Sequence, residues 1–288
     1  MHDSPDRERR SRFQTPLHRG VYVLPNLFTT GGLFAGFYSI ICSLRDDFQT
    51  AAIFILVAQV FDILDGRIAR LTRTTSRFGI EYDSLADLIA FGVAPGILVY
   101  HWALEPWRTW GWLAASLYVT CGALRLARFN VQYDNVEKRH FIGLPIPAAA
   151  DVIASTVLLY YYLGGEGATS KHVILLSIIY ALAGLMVSNV RFFSFKETSL
   201  SRRQPFWLLV GAIVLIKLVI AAPQPMLFVG CGSYALSGPV RWIVHQLRRR
   251  ARPRRRARRS QAPQPSPRPS TTPVETARLT EESDRLIH

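Results

Sequence analysis

The sequence contains few cysteines and few charged residues for a chain of 288 residues. Its three cysteines, Cys42, Cys121 and Cys231, are far apart and lie in apolar runs. This arrangement excludes a disulfide framework and a metal site built from thiolates. Because 49% of the residues are hydrophobic and only 19% are charged, a wholly disordered or collagen-like chain is also excluded. No repeat with a period of about 20 to 50 residues indicates a solenoid.

Acidic residues are absent from one strongly basic segment near the end of the chain. The formal net charge is +14, and residues 248–259 alone contain nine arginines. Such a run can bind nucleic acid, but its position directly after an apolar segment favours anionic lipid headgroups, and we expect no nucleic-acid partner. The following residues 260–288 are rich in Pro, Ser, Thr and charge, which predicts disorder.

The sequence contains many long hydrophobic runs. Each approaches the roughly 20 residues that a helix needs to cross a hydrocarbon core of about 30 Å, which predicts an all-α, polytopic transmembrane bundle of about eight spans. The first span follows a polar, arginine-containing segment without a small-residue cleavage site, so we expect a retained helix. The last two spans are less regular than the other six, because Pro and Gly interrupt them. The predicted spans lie near residues 24–44, 51–70, 85–104, 109–127, 146–163, 172–190, 205–222 and 225–243.

Lysines and arginines are unevenly distributed between the connections. If the N-terminus is cytoplasmic, the outer connections contain only Arg45, Arg108 and Lys171, whereas the C-terminal segment from Arg241 alone contains 13 basic residues. Cytoplasmic loops are enriched in Lys and Arg, so both termini are predicted to be cytoplasmic. We divide the chain into an N-terminal cytoplasmic segment, a membrane core, an additional helix pair and a tail, at residues 1–20, 21–200, 201–245 and 246–288.

Four carboxylates interrupt the apolar pattern where two consecutive spans meet the cytoplasmic side. Asp62 and Asp65 end the second span, and Asp83 and Asp87 begin the third. We call these four residues the aspartate cluster. A carboxylate within a membrane is costly unless it is paired, hydrated or bound to a cation. The sequence therefore predicts a functional site here.

Helical spacing places the cluster on two narrow stripes. Residues three or four apart share a helix face, so an antiparallel hairpin of the second and third spans would bring the stripes to one cavity open to the cytoplasm. Small residues near these stripes leave room for a large anionic ligand, and Arg70 can neutralise phosphate. The stripes consist of Asp62, Asp65, Gly66 and Ala69 on one helix and of Gly79, Asp83 and Asp87 on the next.

Converging carboxylates repel one another unless some are protonated or divalent cations bind them. Ligation by oxygen alone suits Mg²⁺ or Mn²⁺, and the lack of a nearby His and Cys pair argues against zinc. Two such cations can clamp a diphosphate during displacement at phosphorus. A cation or proton transporter that uses the same aspartates is the alternative from another class.

Read together, these residues resemble the signature of the CDP-alcohol phosphatidyltransferases. Other segments resemble the integral-membrane bacterial and archaeal branch that makes phosphatidylserine: residues 24–29 (LPNLFT), 36–37 (GF), 122–130 (GALRLARFN) and 141–148 (FIGLPIPA). The resemblance covers roughly residues 20–200. The signature reads Asp62-x2-Asp65-Gly66-x2-Ala69-Arg70-x8-Gly79-x3-Asp83-x3-Asp87.

This resemblance implies transfer of a phosphatidyl group from CDP-diacylglycerol to L-serine, with release of CMP, at the cytoplasmic face of a prokaryotic membrane. It implies that Asp62, Asp65 and Asp83 ligate two Mg²⁺ or Mn²⁺ ions, and that Asp87 joins this metal site and acts as the base. The residues expected to contact the CDP headgroup are Gly66, Arg70 and Ser76, with Ala69 and Gly79 leaving space and Asn26 and Thr29 as further candidates.

Several alternatives stay open. Arg125 and Arg128 either bind the serine carboxylate or the donor phosphate, or anchor a helix end at the membrane surface. Asn26 is as consistent with a helix cap as with a nucleotide contact. Glycerol 3-phosphate and inositol phosphate are the alternative acceptors, and a scaffold whose function lies in the basic tail is a third class. A homodimer is compatible with the sequence but is not specified by it.

Overall fold

The computed structural model describes residues 17–72, 76–133, 143–169, 172–190, 217 and 220–250. Within these residues all regular structure is helical and no strand occurs, which confirms the all-α prediction. Most of the predicted span at residues 205–222, the N-terminal segment before residue 17 and the tail after residue 250 lie outside the described residues.

Seven helices form the described part of the chain. Helix α3 is continuous but contains two π-helical segments, Leu88–Val93 and Tyr100–Leu104, and it ends in a short 3₁₀ turn. The helices are α1 (Leu17–Leu44), α2 (Phe48–Thr72), α3 (Arg77–Trp107), α4 (Thr109–Tyr133), α5 (Ile146–Tyr162), α6 (Val173–Val187) and α7 (Pro223–Arg250).

Helix α7 coincides with the last predicted span, residues 225–243, whose sequence pattern Pro and Gly interrupt. The helix is continuous from Pro223 to Arg250 with Pro239 inside it. An internal proline removes one backbone hydrogen bond but does not have to end a helix whose surroundings stabilise it.

The starts of α2 and α3 have local causes. Asp47 precedes α2, and its Oδ1 accepts the Thr50 amide at 3.2 Å. Ser76 precedes α3, and its Oγ accepts the Gly79 amide at 2.9 Å. Side-chain oxygens of this kind satisfy amides that have no partner within the helix. The cap at Ser76 explains why α3 begins well before the apolar run that suggested a span from residue 85.

Helix α1 lies next to both α2 and α3. The first part of α3, Arg77–Asp87, packs against α1, and the hydroxyl groups of Thr30 and Tyr82 form a hydrogen bond of 2.9 Å across this contact. Direct packing of α2 on α3 occurs further along, at Leu88–Val93 and Ala94–Val99.

Small residues let these helices approach closely. A β-carbon on Gly36 of α1 would lie 2.6 Å from the Cα of Ala90 in α3, which is closer than any real side chain allows. On α2, Ala51, Ala52 and Ala58 are fully buried. The core that surrounds them is built mainly from Phe48, Ile55, Phe91, Leu98, Trp102, Leu104, Tyr118, Ile146, Val157 and Met186.

The remaining helices complete the bundle. Helix α5 packs against α2, and α4 packs against α6. The chain divides into two compact units, Met1–Ile243 and Val244–His288. In the second unit the structure describes only the last turns of α7, where Val244 and Leu247 are exposed.

Two helices are long and apolar enough to cross a membrane by length and composition, Pro25–Leu44 and Arg77–Trp107. Helices Ile146–Tyr162 and Val173–Val187 are apolar but shorter. The first six predicted spans and the eighth thus coincide with helices.

Candidate active site

The aspartate cluster gathers at one point between α2 and α3. Carboxylate oxygens of Asp62, Asp83 and Asp87 lie within 4.8 Å of one another. The fourth member, Asp65, is 6% exposed and lines the same small cavity as the other three. The convergence predicted from the spacing is therefore present, and α1 packs against both helices that carry the cluster.

The cavity beside the cluster is small and otherwise apolar. Its free volume is about 10 Å³, which is room for roughly one water-sized sphere. Apart from the aspartates and Thr29, its walls are formed by Gly32, Ala58, Ala86, Ala90 and Phe91. In such surroundings neighbouring carboxylates repel strongly, because little solvent screens them.

The donor set fits a hard divalent cation. Three carboxylate oxygens lie within 4.8 Å of one another, and a fourth carboxylate lines the same cavity. Among the described residues, neither His nor Cys belongs to this group. Oxygen-only ligands are those that Mg²⁺ and Mn²⁺ prefer.

Thr29 on α1 orients one of these carboxylates. Its hydroxyl donates to Asp65 Oδ2 at 2.9 Å and also lies 3.2 Å from the Pro25 carbonyl oxygen. The sequence suggested a contact between Thr29 and the CDP headgroup. The structure bonds this hydroxyl to Asp65 and places Thr29 in the cavity wall, while the headgroup contact stays a prediction.

A change of helix type follows Asp87 directly. The π-helical segment Leu88–Val93 begins at the next residue, and within it the Phe91 carbonyl accepts the buried Tyr118 hydroxyl at 2.9 Å. Insertions of this kind occur often at functional sites, since they re-aim side chains along a helix. No sequence signal in the apolar run after Asp87 indicated it.

Three predicted headgroup residues come together at the start of α3. The Cβ position of Gly79 lies 3.1 Å from Ser76 Oγ and 3.4 Å from Asn26 Oδ1. The structure thus brings Asn26 of α1 to the N-terminus of α3, where Ser76 Oγ already caps the helix.

The predicted residues on the last turns of α2 lie outside the cavity. Arg70 is exposed, and its Nε donates to the Gly66 carbonyl at 2.7 Å. A β-carbon on Gly66 would lie 3.9 Å from Arg70 Nη2, so the guanidinium folds back over this glycine. Ala69 is half-buried on the same helix.

The two arginines of α4 differ in their surroundings. Arg125 is half-buried and interacts electrostatically with Asp87, and its buried Nε has no hydrogen-bond partner in the part of the chain that the structure describes. Arg128 is exposed, and its Nη2 donates to Asn189 Oδ1 at 2.9 Å just after α6. Only Arg125 is therefore directed toward the aspartate cluster.

Asn130 is a residue whose part in the site the sequence did not reveal. Its Nδ2 donates to Glu81 Oε2 at 3.2 Å and to Ser84 Oγ at 3.1 Å. These bonds tie the end of α4 to the turns of α3 that carry Asp83. Its place in the segment 122–130 was the only available signal.

Comparison with known proteins identifies the family. The sequence model of the CDP-alcohol phosphatidyltransferases matches residues 22–188, which include α1 to α6 almost completely. The chain belongs to the CDP-alcohol phosphatidyltransferase family. The resemblance inferred from the signature is thereby confirmed, and all four aspartates lie within the matched residues.

Individual relatives are similar over much of the chain. A CDP-diacylglycerol–serine O-phosphatidyltransferase of Helicobacter pylori is 41% identical over 226 residues, covering 77% of this chain and 92% of the relative. The Bacillus subtilis protein of the same name is 36% identical over 175 residues, covering 60% and 92%. An archaetidylserine synthase of Methanothermobacter thermautotrophicus is 39% identical over 171 residues, covering 59% and 69%.

Membership in this family gives the cluster a chemical context. CDP-alcohol phosphatidyltransferases depend on divalent metals, which agrees with the oxygen donors of Asp62, Asp83 and Asp87. The family makes membrane lipids and two helices are long and apolar enough to span a bilayer, so the chain is that of a membrane protein.

Proposed function

We propose that this protein transfers the phosphatidyl group of CDP-diacylglycerol to L-serine and releases CMP, forming phosphatidylserine. The observation that carries the proposal is the convergence of the carboxylates of Asp62, Asp83 and Asp87 within 4.8 Å, in a chain of this family. The names of these relatives refer to different lipids, but each name includes serine. This shared acceptor favours serine over glycerol 3-phosphate or inositol phosphate.

The aspartate cluster is the proposed metal site. Asp62, Asp65, Asp83 and Asp87 would hold two Mg²⁺ or Mn²⁺ ions, as their oxygen donors and common cavity suggest. Bound cations would offset the negative charge of the donor diphosphate and make CMP a better leaving group. Thr29 supports this arrangement by fixing the orientation of the Asp65 carboxylate.

Asp87 is the proposed general base. During transfer, the serine hydroxyl oxygen bonds to the phosphorus that carries diacylglycerol, the bond from this phosphorus to CMP breaks, and the hydroxyl proton passes to the Asp87 carboxylate. Asp87 lies where α3 changes to the π-helical segment, and it interacts electrostatically with Arg125 of α4. A base at this place interacts both with the other carboxylates of the aspartate cluster and with the guanidinium of Arg125.

The CDP headgroup is proposed to bind between the end of α2 and the start of α3. Asn26, Ser76 and Gly79 meet at the start of α3, where Ser76 Oγ accepts the Gly79 amide at 2.9 Å. Arg70 would turn its guanidinium from the Gly66 carbonyl to the diphosphate, where its planar donors match phosphate oxygens. Ala69 adds little bulk on this face.

We also propose a topology. Eight spans with both termini in the cytoplasm would place the active site at the inner face of a prokaryotic cytoplasmic membrane. The asymmetric distribution of Lys and Arg supports this orientation. The donor requires such a boundary, since one end of it is acyl chain and the other a charged nucleotide.

The reaction is tested with purified full-length protein in mixed micelles. The protein is supplied with CDP-diacylglycerol, Mn²⁺ and one labelled acceptor at a time: L-serine, glycerol 3-phosphate or inositol 1-phosphate. We expect CMP release and labelled lipid with serine. Label from glycerol 3-phosphate but not from serine would overturn the acceptor assignment. Ion flux in sealed vesicles without CMP release would show a transporter instead.

The arginine-rich tail is proposed to bind anionic lipid and not to take part in catalysis. Truncation after Val244 is therefore expected to retain CMP release while it weakens binding to vesicles that contain anionic lipid. A truncated protein that is stable but inactive would support a function in the tail itself.

A further inference from the structure

Two oppositely charged side chains beside the aspartate cluster contain buried polar atoms without partners. Asp151 on α5 buries its Oδ1, and Arg125 on α4 buries its Nε, and neither atom has a hydrogen bond among the described residues. Native proteins pair nearly all buried polar atoms, so each exception requires an explanation. The transfer mechanism above gives Asp151 no part.

Both side chains lie within electrostatic range of the aspartate cluster. Asp151 interacts electrostatically with Asp62, and Arg125 interacts with Asp87. The helices themselves account for this proximity, because α5 packs against α2 and α4 packs against the π-helical segment that follows Asp87. The cluster thus has a carboxylate near one of its members and a guanidinium near another.

The same face of α7 lies against both charged groups. Cys231 interacts with Asp151, and Tyr234 interacts with Arg125. These two residues are three apart, so they lie on one side of the helix, and the following Ala235 is buried against the core. One helix therefore adjoins the carboxylate and the guanidinium together.

We propose that Asp151 and Arg125 recognise the two charges of an amino acid acceptor. Asp151 would accept a hydrogen bond from the α-ammonium group, and Arg125 would donate to the α-carboxylate. This inference rests on the proposed function and names the groups that select its acceptor. Serine carries both charges close to its hydroxyl, and a guanidinium matches a carboxylate in shape and charge.

Asp151 also accounts for rejection of the alternative acceptors. Glycerol 3-phosphate and inositol phosphate carry only negative charge, so a second carboxylate beside the metal-binding group would repel them. Specificity of this kind comes from a repulsive element as well as from an attractive one. Asp151 is a specificity-determining residue here, since it touches the acceptor but not the atoms that react.

The test compares L-serine with 3-hydroxypropionate, which has the same hydroxyl and carboxylate but no amine. In full-length protein we expect Asp151→Asn to raise the KM for serine by about 10- to 100-fold, the loss typical of one charged hydrogen bond. The KM for CDP-diacylglycerol should stay at the wild-type value. The inhibition constant of 3-hydroxypropionate should not rise, because Asp151 repels an anion that lacks the amine. Asp151→Glu, which keeps the charge, should retain a preference for serine.

Two further variants complete the design. Arg125→Gln should raise the KM for serine but leave inhibition by ethanolamine, which lacks the carboxylate, unchanged. Glu166→Gln removes an exposed carboxylate and should change neither constant. If wild-type protein releases no CMP with serine, the proposed function itself fails.

If wild type is active and Asp151→Asn keeps the wild-type KM for serine, the inference about acceptor recognition is overturned while the function stands. An equal weakening of serine and 3-hydroxypropionate by Asp151→Asn would also overturn it. Should this variant fail to fold, wild-type protein decides: 3-hydroxypropionate must bind at least about 10-fold more weakly than serine.

Discussion

Thr29 of α1 donates its hydroxyl to the carboxylate of Asp65 in α2 at 2.9 Å. Both residues are buried, with 7% and 6% of their surface exposed. A helix that carries no member of the aspartate cluster thus fixes the orientation of one member. Hydrogen bonds to charged groups contribute about 1.5–3 kcal/mol, so this contact is large enough to influence metal binding.

Replacing Thr29 with valine tests that influence. Thr29→Val keeps the shape of the side chain but removes the donor, so Asp65 is left with fewer partners. We expect the Mn²⁺ concentration that gives half-maximal CMP release to rise by about 10-fold. Thr29→Ser, which retains the hydroxyl, is the matched control and should stay near wild type. Equal effects of the two substitutions would show that packing, not the hydrogen bond, matters at this position.

Two aspartates of the cluster should differ in what they contribute. Asp87→Asn removes the proposed base, so kcat is expected to fall by at least about 100-fold while Mn²⁺-dependent binding of CDP-diacylglycerol persists. Asp62→Asn removes a proposed metal ligand, so donor binding should weaken together with turnover. Titration of CDP-diacylglycerol binding by calorimetry in micelles, alongside CMP release, separates the two cases. Identical profiles for both variants would argue against a distinct base.

The arginines of α4 allow a prediction about stability and activity. Arg128 is exposed and bonds to Asn189, so Arg128→Gln should lower the melting temperature slightly and keep kcat within about twofold of wild type. Steady-state assays and thermal unfolding in detergent measure both effects. A loss of kcat comparable to that of Asp87→Asn would place Arg128 in the reaction and contradict the direction seen for its side chain.

Gly36 should be intolerant of any side chain. A β-carbon there would lie 2.6 Å from the Ala90 Cα, so Gly36→Ala must push α1 from α3 beside the cluster. Overpacking of this kind costs about 1–3 kcal/mol, and the melting temperature in detergent should fall accordingly. The control is Gly184→Ala on α6, where an added β-carbon meets nothing within 4 Å and the helix gains propensity. Unfolding of both variants at the same temperature would contradict the close packing.

The local parts of this architecture could be predicted from the sequence, because they depend on short-range rules. The spacing of Asp62, Asp65, Asp83 and Asp87 determines which of them share a helix face, and the apolar runs determine where helices form. The span at residues 225–243 was the less regular prediction because local rules treat proline as a breaker, whereas α7 continues through Pro239.

Relationships between distant helices could not be predicted in the same way. The packing of α1 on the start of α3 depends on contacts such as Gly36 with Ala90, which no periodicity specifies. Arg125 and Arg128 are three residues apart and looked equivalent, yet Arg125 interacts with Asp87 of α3 whereas Arg128 bonds to Asn189 just after α6. The partner of Thr29 likewise depends on where α1 crosses α2.

Manganese binding tests the central claim most directly, namely that the aspartate cluster holds divalent cations for the donor diphosphate. Purified protein is titrated with Mn²⁺ in the presence of CDP-diacylglycerol, and bound ions are counted by electron paramagnetic resonance. We predict two tightly bound ions per chain in wild type and loss of tight binding in Asp83→Asn. Unchanged number and affinity of bound Mn²⁺ in Asp83→Asn would contradict the account.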